Sequence, residues 1–217
     1  MRRLAAALLA SITLAAAAAD APGNLALDDL KIRSAGGDRE ATRTLAEAYY
    51  LGRGGVEQDF PEAARWYRRL ATQGDARAQT SLGLMYARGL GFPRDMVEAR
   101  RWWSLAAAQN DAGAQYNLGT VYFEGHGVEA DLPQAHFWFT RAALRGHVLA
   151  QTNAGAMSLQ GRGVPRDPVT GLAWLMIAAG NGEEKAQELL KTLAPSITPE
   201  VSEKARERMK ALAGKPR

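Results

Sequence analysis

The sequence contains no cysteine. Disulfides, cysteine-ligated metal, a thiol nucleophile and a lipidation thiol are therefore excluded, and stability has to come from packing. Histidine is scarce: there are only His126, His136 and His147, and no two have the close helical spacing of a zinc site. They read as solvated or partly packed side chains. A surplus of one charge is also missing. The 27 Lys and Arg stand against 23 Asp and Glu, a net of +4 that no segment concentrates. No nucleic-acid partner is expected from such a balance. Past the first twenty residues there is no apolar run long enough for a membrane span. What remains, 47% hydrophobic and 23% charged, is the composition of a soluble folded chain of one or two domains.

The start of the chain reads as an address. Met1-Arg2-Arg3 is positive, Leu4 to Leu14 is almost wholly apolar, and Ala15 to Ala19 is a run of small residues ending at Asp20. This is the layout of a secretory signal peptide over 1–19, with cleavage expected after Ala19; an uncleaved anchor is the other reading. Removal of Arg2 and Arg3 would halve the net charge. The expected location is periplasmic or secreted, with no membrane association after cleavage.

The rest is periodic. Trp66, Trp102, Trp138 and Trp174 recur every 36 residues, as do Ala78-Gln79, Ala114-Gln115 and Ala150-Gln151, and Asp59, Asp95, Asp131 and Asp167. Gly89-Leu90-Gly91, Gly125-His126-Gly127 and Gly161-Arg162-Gly163 keep the same step. A fixed period decides the fold. Four units are predicted at 41–77, 78–113, 114–149 and 150–185. Each reads as two helices. In the third, Ala114, Leu118 and Tyr122 share one face, Gly119 lets a second helix come close, and Gly125-His126-Gly127 ends the helix. Asp131 then fits an N-cap with Gln134 three residues on, and Ala135, Trp138, Phe139, Ala142 and Ala143 form an apolar face. A lone hairpin cannot bury such a face, whereas stacked copies cover one another. Capping segments are expected at 20–40 and 186–217. In the last of these, Val201, Ala205, Met209 and Leu212 line one side of a final helix opening at Thr198-Pro199-Glu200. The fourth unit, with Ala154 and Ser158 where the others have Leu and Tyr (Leu118 and Tyr122 in the third), is expected to have a looser core.

The string Ala114-Gln115…Leu118-Gly119…Tyr122…Gly125…Gly127…Asp131…Ala135…Trp138…Ala142-Ala143…Gly146 resembles the Sel1-like repeat, a relative of the tetratricopeptide repeat. The resemblance implies an all-α, right-handed α/α superhelix (solenoid) of helix hairpins with N- and C-terminal capping helices. It also implies that the first helix of each unit lines the concave side.

Other chemistries fare poorly. The spaced aspartates suit helix caps better than a metal site, because stacking strings them apart. The glycine turns follow helices, where a phosphate loop follows a strand. The tryptophans, always inside the second helix, read as core, and so does Trp103, whose equivalents are Tyr67, Phe139 and Leu175. No serine has a recognisable base and acid. The chain is therefore expected not to be an enzyme and to hold no cofactor or metal.

The inward positions of the first helices remain. In the first unit they include Arg43, Glu47 and Tyr50, and in the second Leu84 and Arg88. The third offers Tyr116, Asn117, Thr120, Phe123 and Glu124, and the fourth Asn153 and Gln160. Aromatic rings supply rigid contact area, and an amide offers both donor and acceptor to a peptide backbone. Relatives use asparagines at the position of Asn117 and Asn153 in this way, although an amide there can equally pair locally. The expected function is a non-catalytic protein-interaction scaffold of the bacterial envelope, binding a peptide or partner protein. The alternative is a glycan- or cell-wall-associated accessory factor using exposed aromatics.

Overall fold

The computed structural model describes residues 27–213, so the signal-peptide and cleavage expectations lie outside the described residues. Among these residues there are eleven α-helices and one short 3-10 turn, Ala194–Ser196, and no strand. The order is α1 (Leu27–Ala35), α2 (Arg39–Leu51), α3 (Phe60–Thr72), α4 (Ala76–Arg88), α5 (Met96–Ala108) and α6 (Ala112–Glu124). There follow α7 (Leu132–Leu144), α8 (Val148–Gln160), α9 (Pro168–Gly180), α10 (Glu184–Leu193) and α11 (Pro199–Ala213). Helices α2 to α9 are four hairpins. Each helix from α2 to α9 packs on both its chain neighbours. The first helices of the hairpins, α2, α4, α6 and α8, are called inner and the second, α3, α5, α7 and α9, outer, after the concave side that the resemblance implies.

Capping chemistry sets the helix lengths. Asp59, Asp95, Asp131 and Asp167 cap the outer helices; Asp131, for instance, accepts from Gln134 N at 2.9 Å. A second set, at Asp38, Asp75, Asp111, His147 and Glu183, caps the inner helices and α10. Its period is hidden in the sequence because histidine and glutamate interrupt the aspartates. The inner helices end on a left-handed glycine, as at Gly125 with φ 72°. The second glycine of each later turn has a different job. A Cβ on Gly163 would sit 2.4 Å from the Leu132 carbonyl, so the turn of one unit lies against the outer helix of the unit before it.

Within a hairpin the inner glycine admits the outer helix, as expected: a Cβ on Gly119 would lie 2.5 Å from the Phe139 ring. Phe139, Trp103, Tyr67 and Leu175 are the buried anchors of the outer helices, at 1%, 3%, 8% and 0% exposure. Trp103 is thus core, as read from the sequence. The periodic tryptophans are a partial correction. Trp174 is buried, but Trp66, Trp102 and Trp138 are only half-buried. Two of them lean on the preceding unit: Trp102 packs on the first unit's core and Trp138 on the second's. Their 36-residue beat records contact between units.

The Ala-Gln pairs tie the units together. Gln79, Gln115, Gln151 and Gln187 donate from Nε2 to the carbonyls of Ala71, Ala107, Ala143 and Ala179, at 3.0, 3.2, 3.2 and 3.3 Å. Each of these carbonyls, in the last turn of the preceding outer helix, already accepts a backbone N–H, from Gly74, Asn110, Gly146 and Gly182, and the glutamine adds a second bond that contributes about 1 kcal/mol net. At the C-terminal end α11 folds back onto α9, with Ala205 buried beneath it and Leu212 against the third core.

Candidate functional site

The candidate site is the inner layer, and its side chains divide by what already holds them. At one seam after another, the same inner-helix position reaches the N-cap of the next inner helix. Arg43 donates to Asp75 at 2.9 Å, Thr80 to Asp111 at 2.9 Å and Thr152 to Glu183 at 3.0 Å. At the third seam Tyr116 instead stacks on His147, with centroids 4.3 Å apart and planes at 14°. Arg43 and Tyr116 therefore serve the seams. Asp75 shows the electrostatic consequence. Burial pushes its carboxyl up, but the Ala78 N–H and the Arg43 guanidinium outweigh this and hold it below the usual range. Burial raises Glu47, against the pull of Arg43 and Arg77.

Two expected inward residues are corrected. Leu84 is 6% exposed and belongs to the core between the second and third units. Asn117 is 5% exposed, and its buried Oδ1 has no partner. On a stacked array, a position that looks outward on its own helix is covered by the neighbouring one. Tyr50 is half-buried, edge-on to Phe60 and Tyr67 at 5.5 and 6.2 Å. Arg88 is half-exposed on the last turn of α4, and Gln160 is exposed on the last turn of α8.

The remaining residues converge where α6 meets α8. The Tyr116 hydroxyl meets Thr120 and Asn153, and burial raises its pKa. Thr120 Oγ1 also donates to the Tyr116 carbonyl at 3.2 Å. Phe123 lies under the Arg162 guanidinium at 4.5 Å, a cation–π contact. Exposed Glu124 pairs with His126 Nε2 at 2.6 Å. The result is a small surface with an aromatic floor, an amide, a hydroxyl, a carboxylate and a guanidinium.

The structure also shows a serine–histidine contact that the sequence did not suggest: His136 Nε2 lies 3.0 Å from Ser158 Oγ. Ser158 is 2% exposed, and burial lowers the pKa of His136. The imidazole reaches the position where Ser158 replaces the tyrosine of the other units. A hydroxyl so enclosed has no room for a substrate, and the contact is packing. Among the described residues no three His, Asp or Glu gather as a metal site, and no helix is long and apolar enough to cross a membrane.

The sequence model of the Sel1 repeat matches residues 40–75, 76–111, 112–147 and 148–183. The chain belongs to the Sel1 repeat family. Family members are generally protein-interaction scaffolds. Among solved structures, this Sel1 protein is similar to c5321, a protective antigen of uropathogenic Escherichia coli with an SLR fold, at 32% identity and TM-score 0.76; the match covers 86% of this chain and 40% of that one. It is also similar to a Sel1 repeat protein from Oxalobacter formigenes, at 36% identity and TM-score 0.70, covering 77% of this chain and 48% of that one. A putative Sel1 repeat protein from Klebsiella pneumoniae, at 20% identity and TM-score 0.50 over 77% of this chain and 83% of that one, shares the fold. The chain thus spans less than half the length of the first two relatives. No curated protein matches it in sequence.

Proposed function

We propose that this Sel1 repeat protein is a non-catalytic adaptor of the bacterial cell envelope, exported by its N-terminal segment, that holds a peptide or partner protein on its inner layer. The observation that carries the reading is the cluster at the α6–α8 seam. Phe123, Glu124 and Asn153 stand there beside Tyr116 with mixed hydrogen-bonding capacity and partial exposure. Such surfaces take a peptide through one aromatic anchor and a few polar contacts.

The test is capture from an envelope extract, with partners identified by mass spectrometry and affinity then measured on the purified partner. Glu124→Lys with Asn153→Ala is expected to weaken binding about tenfold or more, each lost charged or amide contact costing roughly 1–3 kcal/mol. Unchanged affinity would remove the inner layer from the account. Amino-terminal sequencing of the exported protein checks the location, with Asp20 expected first.

The glycan- or cell-wall-associated alternative draws on Phe137, an outer-layer ring 47% exposed. Co-sedimentation with purified peptidoglycan that Phe137→Ala abolishes would favour it.

A further inference from the structure

The outer layer carries a second surface. In α9, on which α11 packs, Leu172, Ala173 and Trp174 are 1%, 0% and 3% exposed. The same three positions are more open in the second and third units. They are Arg100, Arg101 and Trp102 on α5 and His136, Phe137 and Trp138 on α7, all at least partly exposed. One unit's outer face is thus occupied by a helix, and the neighbouring faces continue that interface with no helix of the described residues on them.

Their chemistry differs from that of the covered face. Val97 and Leu105 flank Arg101 at four-residue spacing on α5, 58% and 45% exposed, and Phe137 holds the place of Arg101 on α7. The Arg141 guanidinium lies 5.6 Å over Phe137 and 5.7 Å over Trp138, and Arg101 lies 5.8 Å over Trp102. Helices α5 and α7 hold Arg100, Arg101 and Arg141 against one glutamate, Glu98, which Arg101 meets at 3.4 Å, with the capping Asp95 and Asp131 at their N-terminal ends. The middle of this face is therefore basic. Exposed apolar side chains at helical spacing accept the apolar stripe of another helix, and arginines beside them select for carboxylates on that helix.

We propose that the α5–α7 outer face, centred on Arg101, Phe137 and Arg141, docks an acidic amphipathic helix of another protein. That helix would lie on the second and third units in the way α11 lies on the fourth. Helix α11 of a second copy is a poor occupant, because its four basic residues outnumber Glu200, Glu203 and Glu207 and because it is already packed on α9 of its own chain. The face belongs to the layer opposite the Phe123–Asn153 cluster, and the two surfaces stand or fall independently.

The experiment is selection of a helical peptide library, displayed on a rigid scaffold, against the full chain. Enriched peptides should carry Leu or aromatic residues at i, i+4 and i+7 with Asp or Glu alongside. Their affinity should fall about tenfold or more in Arg101→Glu/Arg141→Glu and in Phe137→Ala, and should be unaltered in Glu124→Lys, in line with loss of a central anchor. These side chains are exposed or half-exposed, and circular dichroism on each variant checks that the fold is kept. Enrichment of neutral or basic peptides, or affinity that survives the substitutions, overturns the proposal. So does retention of phosphatidylglycerol vesicles or duplex DNA that Arg101→Glu/Arg141→Glu abolishes while no acidic peptide is enriched. Dimerisation of the chain that Phe137→Ala abolishes would assign the face to a second copy and would equally overturn it.

Discussion

The second and third seams of the solenoid occupy equivalent places and are built from different chemistry. Between the second and third units, the Thr80 hydroxyl donates to Asp111, which also caps α6 through Ala114 N at 2.8 Å. Between the third and fourth, Tyr116 stacks on His147, which caps α8 through Nδ1 accepting from Ala150 N at 3.3 Å. One is a hydrogen bond to a charged acceptor, the other a stack of ring faces on a neutral imidazole. The backbone is served alike by both, so the architecture fixes the position and leaves the residue free. What differs is the response to acid and to added bulk.

The largest expected contrast is steric. At the third seam a Cβ on Gly163 meets Leu132 backbone at 2.4 Å, while at the second seam one on Gly127 meets the Met96 side chain at 3.0 Å. Both glycines have positive φ, 75° and 72°. Gly163→Ala should therefore cost about 3 kcal/mol or more, since backbone cannot move aside, and Gly127→Ala about 1–2 kcal/mol, mainly the left-handed conformation. Urea melts compare them, and equal losses would erase the distinction.

The next contrast is titration. Burial lowers the His147 pKa from 6.5 to about 4, against the attraction of Asp111. A lowered pKa means that the neutral ring stabilises the fold fully above the unfolded value of 6.5. That stabilisation is lost as pH falls from 6.5 through about 4, of order 3 kcal/mol in all. His136, lowered in the same direction, adds to the slope. The carboxylate of Asp75, also lowered, gives way only at more acid pH. His147→Asp should flatten most of the stability profile between pH 6.5 and 4. Hydrogen exchange should show α8 losing protection before α4 in the parent protein over that range.

The smallest effect is expected at the second seam itself. Asp111→Ala removes an N-cap and the acceptor of Thr80, at a cost of about 1–2 kcal/mol at neutral pH. Calorimetry at that pH checks the size.

Much of this fold is legible in the order of residues alone. The tryptophan, Ala-Gln and Gly-x-Gly periods are signals of residue identity, and each does a job that only one residue type does well. The inner-helix caps leave no such signal, because a side-chain acceptor can be Asp, Glu or His. Their position is periodic and their identity is not. The resting place of α11 is equally hidden. Val201, Ala205, Met209 and Leu212 announce an apolar stripe without saying which face receives it. The candidate site is legible only in part. A single helix shows which positions turn from its own partner, but not which are covered by the next unit. Leu84 is buried for that reason, Asn117 is buried as well, and Arg43 and Tyr116 are engaged in the seams.

The glutamine bonds have a consequence for the length of the molecule. Each Gln79-type side chain looks back to a carbonyl at the same place in the preceding unit, so the joints are interchangeable. Excision of 112–147 would leave Asp111 in front of Val148, ready to receive Ala150 N, with Gln151 facing the vacated Ala107 oxygen and Thr80 still beside Asp111. Evolution can therefore add or subtract a rung without redrawing any joint, and the reach of the array is set by counting.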